Sequence, residues 1–256
     1  MYLVSCRRKL FSPYFFSSKW DVLCIPSYPK ETNLEKARLS EKTISELCWG
    51  KRVLVLVHGY NSDGAALLRA YSTVEQRVQS DYDVVLGFLW PGSRVFFGYF
   101  TAQMRTSRAS EFLADLLRYI RRAQPRRMDV NAHSLGCRIL AKAAETTPVD
   151  LAIYLGAAFD RDEATTKYPG LKTGAGSTIL AWSATDPVLG VVYPFASRKL
   201  SVGGAGLPEE EAAKIPNLRQ LDLSGIVDSH IGYRHSEDLY SAWKQVLMQD
   251  INRQEK

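Results

Sequence analysis

One hexapeptide carries the clearest chemical signal in this sequence. Asn131-Ala132-His133-Ser134-Leu135-Gly136 has the pattern small-x-Ser-x-Gly, set between a strand-like run over residues 128–132 and a helix-like run over 135–145. Small residues two before and two after a serine let a strand and a helix meet in a very sharp turn. That turn holds the serine in a strained backbone, its hydroxyl projecting beyond the sheet. The following helix aims its N-terminal dipole and free N–H groups at the same place, which favours developing negative charge. Serine is a weak nucleophile unless a base stands beside it, and the chain has four histidines, His58, His133, His230 and His235. Neither these nor the acids show metal-ligand spacing, so no metal and no organic cofactor are expected. The chemistry implied is attack by Ser134 on an acyl carbon; an ordinary strand-to-helix turn with an incidental serine is the competing reading.

The flanking pattern supplies the elements that must position such a turn. Residues 53–57 are an unbroken run of valine and leucine, as in a strand buried on both faces. Leu67, Leu68, Tyr71, Val74 and Val78 then recur at helical spacing. Further strands are expected at 84–89, 128–132, 151–155, 178–182 and 221–223. A long helix is expected within 99–124, ended by Pro125, and a closing helix is marked by Leu239, Tyr240, Trp243, Val246 and Leu247 with Ser236 as its N-cap. Two short strands, 2–6 and 21–25, come first, separated by an aromatic and serine-rich loop; a surface excursion with a helix near 40–47 follows them. Strands alternating with helices predict an α/β fold, a mostly parallel eight-stranded sheet with helices on both faces. Ligands in such sheets collect at the carboxyl ends of the strands. The expected organisation is one domain over 1–256, with the N-terminal strands and excursion in 1–50 and the core in 51–250.

With the serine motif in this setting, the chain resembles the α/β-hydrolase superfamily. Val57-His58-Gly59-Tyr60-Asn61 adds to the match. In that superfamily an H-G-containing loop after this strand supplies one oxyanion-hole N–H, which falls here on Tyr60. The residue after the nucleophile, here Leu135, supplies the other. Each such donor is worth on the order of a few kcal/mol of transition-state stabilisation. His58 itself reads as a loop-shaping residue. Ala132 stands where the superfamily usually has a first glycine, a one-methyl departure. Phe88-Leu89-Trp90-Pro91 completes an HGYN, WP and HS-x-G pattern that resembles an uncharacterised bacterial branch, a domain of unknown function with no single assigned substrate. The resemblance covers roughly residues 50–250.

Strand alternation turns His133 to the face opposite Ser134, and His58 lies in the oxyanion loop. The base is then His230 or His235, both of which satisfy the superfamily order of serine, acid, histidine. His230 sits in Asp228-Ser229-His230-Ile231-Gly232-Tyr233, a loop with a flexible glycine, whereas His235 directly precedes the N-cap; His230 is favoured. The resemblance places the acid just beyond the strand ending at Trp182, where Ser183-Ala184-Thr185-Asp186-Pro187 offers Asp186. Its task would be to orient the imidazole and stabilise its cation. Asp160 is the runner-up, and Asp228 is too close in sequence to His230 for an easy reach. The expected reaction is hydrolysis of carboxylic esters through an acyl-enzyme. Small or medium acyl groups are favoured, because residues 160–176 are too few for a large helical lid. Trp90, Phe96, Phe97 and Tyr193 are candidate substrate contacts, with core packing as their other role. Thioesterase, lipase and amidase activities use the same machinery, and a non-catalytic scaffold that binds partners is a different class altogether.

Composition sets the outer limits. The chain has 256 residues, a net charge of +6 and 46% hydrophobic residues, enough for a buried core. Its apolar runs fall well short of the ~20 residues of a membrane span, so no integral membrane segment is expected. The four cysteines are scattered without a C-x-x-C pair, which fits a reduced compartment and a cytoplasmic location. Arg118, Arg121, Arg122, Arg126 and Arg127 read as the solvated face and end of a helix, with no nucleic-acid-binding motif beside them. The expected partner is a small-molecule ester and no nucleic acid; oligomeric state is left open. The two candidate bases separate by substitution. His230→Ala is expected to lose nearly all turnover of a chromogenic ester and His235→Ala far less, and the reverse order reassigns the base.

Overall fold

Val53, Val55 and Val57 of one strand point to one side of the sheet, and Leu54 and Leu56 to the other. All five are buried. Burying one such side chain stabilises by about 1.5–3 kcal/mol, so this strand must be covered on both faces. The computed structural model describes residues 2–9, 12–24, 38–60, 64–92 and 99–254. Among these, nine strands form one sheet: β1 (Tyr2–Lys9), β2 (Ser12–Cys24), β3 (Arg38–Leu39), β4 (Arg52–Val57), β5 (Val84–Leu89), β6 (Arg127–His133), β7 (Val149–Leu155), β8 (Ala175–Trp182) and β9 (Leu218–Asp222). Their order is β3-β2-β1-β5-β4-β6-β7-β8-β9. Every pair from β1 through β9 is parallel, and only β2 runs antiparallel to its neighbours β1 and β3. The eight expected strands are all present, and the two-residue β3 extends one edge.

Helices cover both faces. α1 (Glu41–Cys48), α3 (Tyr99–Arg122) and α4 (Gly136–Ala144) pack on the valine side, whereas α2 (Gly64–Val78) and α5 (Glu237–Gln254) pack on the leucine side. The Ser236 hydroxyl accepts from the Leu239 N–H at 3.3 Å, capping α5 as expected. Between β7 and β8 the chain forms only two four-residue helices, Ala164–Lys167 and Gly170–Thr173. Among the described residues no helix is long and apolar enough to cross a membrane.

Two expectations are corrected. Where a loop is expected after the first strand, β1 and β2 continue as a long hairpin paired out to Lys9 and Ser12. Register shifts on either side of Arg7 let it curl. Phe16 then stacks on Phe112 of α3 at 5.8 Å, a contact distant in sequence that outweighs the loop-like composition. Arg127 does not belong to the solvated cluster: it is buried at the start of β6, paired with Asp129 at 2.7 Å and Asp250 at 2.8 Å.

Gly87 in β5 leaves room for a neighbouring ring. A Cβ there would lie 2.5 Å from Tyr71 and 2.8 Å from Leu3, while the Tyr71 hydroxyl donates to the Phe88 carbonyl at 2.7 Å. Gly87→Ala is therefore expected to destabilise by about 1–3 kcal/mol through overpacking. Urea unfolding should show a lower midpoint at an unchanged slope.

Candidate active site

β6 delivers the chain to Ser134, and α4 begins two residues later. Ser134 takes a φ of 56°, left-handed backbone that costs a β-carbon residue about 1–3 kcal/mol and persists only where surrounding contacts enforce it. Here its N–H donates to Leu155 O at 2.9 Å, and its carbonyl accepts from Cys137 and Ala158. Gly136 lies against the end of β4, where a Cβ would meet His58 O at 2.5 Å and Val57 O at 2.8 Å. A Cβ on Gly59 would come within 2.9 Å of Ser134 Cβ. Gly136 of the motif and Gly59 of the loop after β4 are thus required by the close approach of the elbow to that loop.

Three side chains meet above this edge of the sheet. Ser134 Oγ lies 2.8 Å from His230 Nε2, and His230 Nδ1 lies 2.8 Å from Asp186 Oδ2. An ionised carboxylate only accepts, so Nδ1 carries the proton and Nε2 is left to accept from the serine hydroxyl. Asp186 is fully buried. Its other oxygen accepts from the N–H groups of Val188 and Leu189 at 2.9 and 3.2 Å. Burial opposes its ionisation, yet the hydrogen bond and charge of His230 and these two N–H groups outweigh burial and hold the carboxyl below its ordinary range.

The loops carrying Asp186 and His230 are fastened to each other. Ser183 Oγ and Thr185 Oγ1 both donate to Val227 O, at 2.5 and 2.9 Å. Tyr233, buried beneath, donates to Asp186 Oδ2 at 3.3 Å and to Gly203 O at 3.2 Å. The expected orientation of His133 is corrected: its Nε2 donates to His230 O at 2.7 Å, and its ring centre is 4.7 Å from that of His230. Because Ser134 departs from strand geometry, alternation no longer fixes where the residue before it points. Neither Tyr233 nor His133 carries a sequence signal of this supporting position.

A second buried group shapes the loop after β4. His58 Nε2 accepts from Arg7 Nη2 at 3.1 Å and from the Trp90 N–H at 3.2 Å, while Nδ1 donates to Gly59 O at 2.5 Å. Trp90 stacks on His58 at 5.3 Å and donates through Nε1 to His58 O. Arg7 Nε donates to Trp90 O at 2.8 Å. Arg7 is thereby a buried strut. Among the described residues nothing accepts a hydrogen bond from the Leu135 N–H, which lies at the N-cap of α4. Tyr60 lies on the adjoining loop, its ring edge-on to Tyr99 at 5.9 Å.

The candidate substrate contacts fare differently. Trp90 is completely buried under His58, and Tyr193 is buried with its hydroxyl donating to Asp160 and accepting from Arg138. Both serve packing in place of the expected substrate contact. Phe96 and Phe97 lie outside the described residues. Asp160 is occupied by Tyr193 and Lys167, Asp228 is exposed, and exposed His235 contacts Arg234. Among the described residues no group of His, Cys, Asp or Glu is disposed to hold a metal ion.

Comparison with known proteins bears on this architecture. A family model described as an alpha/beta hydrolase of unknown function (DUF900) matches residues 35–149, a segment that contains Ser134 but neither Asp186 nor His230. No curated protein sequence matches the chain significantly. Among solved structures, lipase B of Aspergillus fumigatus superposes with a TM-score of 0.51 at 16% identity, over 90% of this chain and 62% of that one. An uncharacterised protein from Bacillus cereus gives 0.51 at 13%, over 80% and 61%. A Xanthomonas campestris protein described as an α/β serine hydrolase without lid gives 0.46 at 9%, over 78% and 81%. The chain thus spans about three fifths of the first two. At such identities the likeness is one of fold: the chain has the α/β-hydrolase fold.

Two neutral rings in this site make stability depend on pH. Burial, then the charge of His230, pushes His133 down to about 3, and burial, then Arg7, holds His58 well below the ordinary histidine range. Unfolded, each takes up a proton near about 6.5. The unfolded chain therefore binds more protons below that pH, and stability present above it is lost as pH falls from about 6.5 toward 3. Each ring contributes up to about 1.4 kcal/mol per pH unit. His133→Asn is expected to flatten the acid slope by up to one proton's worth, read from urea midpoints measured on acidification. An unchanged slope would show that His133 does not titrate on unfolding.

Proposed function

We propose that this chain is a serine hydrolase that cleaves carboxylic esters through an acyl-enzyme. The reading is carried by one observation, the unbroken relay from Asp186 through His230 to Ser134, with both links at 2.8 Å and the serine held at a left-handed φ. Buried, fully bonded Asp186 keeps the proton on Nδ1 and stabilises the imidazolium without taking its proton.

In the proposed reaction Ser134 Oγ bonds to the acyl carbon while its proton passes to His230 Nε2. The carbonyl electron pair moves onto oxygen, where the N–H groups of Leu135 and Tyr60 would receive it. His230 then gives its proton to the leaving alkoxide as the ester C–O bond breaks. Water, deprotonated by the same nitrogen, attacks the acyl-serine and returns the hydroxyl. Small or medium acyl groups suit the short connection between β7 and β8. Thioesters and amides suit the same groups, and in this proposal residues 1–256 form a single domain.

The test compares wild type with two variants by ester turnover and by labelling with a fluorophosphonate. Ser134→Ala is expected to lose labelling and at least about 10⁴-fold of turnover. Asp186→Asn should lose about 10⁴-fold, because the amide favours the wrong tautomer. Undiminished labelling or turnover of Ser134→Ala would sink the proposal, whereas a wild type that takes no label and turns over no ester would favour a non-catalytic scaffold.

A further inference from the structure

A second feature shares the edge of the sheet that carries Ser134. β1 runs parallel to β5 with Ser5 opposite Leu89, so Arg7 to Lys9 and the start of β2 project beyond the carboxyl ends of the strands. α3 begins at the same edge, after the segment that follows β5. Between the hairpin and the first turns of α3 lies an open trough of about 520 Å³, outside the Ser134 relay. Arg105 of α3 donates to Gly92 O at 2.7 Å, and a Cβ on Gly92 would lie 2.3 Å from Tyr60 O. The trough is therefore one side chain and one peptide away from the loop after β4.

Its lining has an unusual chemistry. Phe15 on the hairpin is 65% exposed and Met104 on α3 is 79% exposed, with Tyr14 beside them. Arg8 and Arg108 are exposed in the same lining, which holds no acidic residue. Neither arginine has a carboxylate partner among the described residues. On the neighbouring segment at this edge Phe195 is 92% exposed, two residues from Tyr193, whose ring meets Tyr99 of α3 at 6.4 Å. Large apolar side chains left in water mark a surface that something covers. Apolar tips interleaved with arginines that lack a carboxylate partner match the boundary between anionic headgroups and acyl chains. Single-stranded nucleic acid also takes arginines and rings. However, Phe16 is already stacked on Phe112 and covered by Arg108, and the thioether of Met104 offers no face to a base.

We infer that this rim docks the protein onto an anionic lipid surface, with Phe15 and Met104 entering the boundary and Arg8 and Arg108 meeting phosphates. The inference rests on the hydrolase reading for its consequence, that the esters presented to Ser134 belong to amphiphiles in that surface. The docking itself stands on the rim alone.

The experiment is sedimentation with vesicles. Wild type is expected to pellet with vesicles of phosphatidylcholine mixed with phosphatidylglycerol, to stay in solution with phosphatidylcholine alone, and to be released by salt. Arg8→Gln/Arg108→Gln should weaken vesicle binding by at least about tenfold, and Phe15→Ser/Met104→Ser comparably, with circular dichroism showing both folded. Equal binding to both vesicle types, folded variants that bind as wild type does, or a single-stranded oligonucleotide that displaces the vesicles would each overturn the proposal. Pelleting needs no turnover. A protein that pellets but cleaves no ester overturns the hydrolase reading alone, and one that cleaves soluble esters but never pellets overturns the docking alone.

Discussion

The functional edge of this molecule depends on how closely three stretches of backbone approach one another. Gly136 faces the carbonyls of Val57 and His58, Gly59 faces Ser134, and Gly92 faces Tyr60 O, and in each case an added Cβ would lie under 3.0 Å from its neighbour. The loops after β4 and β5 and the turn after β6 are pressed into one layer by these contacts. What holds them is the absence of side chains more than any attraction. The left-handed backbone of Ser134 follows from the same geometry, since the chain must reverse within one residue to leave β6 and begin α4.

The rest of the site is built on loops, so polar ties take over where the sheet stops. Ser183 and Thr185 converge on Val227 O, Tyr233 reaches Asp186, and His133 holds His230 O. These bonds join segments that share no strand pairing at that level, and they hold Asp186 and His230 in register. On the other side of the serine, the Arg7, His58 and Trp90 cluster does the same for the loop after β4. The Arg7 guanidinium, bonded to His58 on that loop and to Trp90 O at the adjoining strand end, couples the first strand to the middle of the sheet. Preorganised groups of this kind need little rearrangement when charge develops.

Much of this was legible in the residues. The valine and leucine runs mark the strands because burial on both faces leaves no room for polar residues. The elbow was readable because steric demands fix its small residues at a set spacing. Asp186 and His230, which the structure brings within 2.8 Å of each other, were singled out by their places, one just beyond the strand ending at Trp182 and the other in a glycine-bearing loop. What escaped lies where a local rule gives way to tertiary packing. His133 escaped because alternation ends where Ser134 leaves strand geometry. Trp90 and Tyr193 look the same in sequence whether they line a pocket or fill a core, and only burial decides between them. The hairpin through Ser12–Cys24 lacks an alternating pattern, and its pairing becomes visible only with α3 packed against it. Arg7 offered no signal, since a buried arginine and a solvated one are the same letter.

The separation of the relay along the chain has a consequence for synthesis. His230 follows Ser134 by 96 residues. At about 5–20 residues per second, a ribosome adds the base roughly 5–20 s after the serine. During that interval the nascent chain holds a hydroxyl with no imidazole to draw its proton, and such a hydroxyl is a weak nucleophile. On the proposed reading, the growing polypeptide would stay quiet toward acyl groups until the loop carrying His230 has emerged. Emergence of that loop would in this sense be the step that arms the serine.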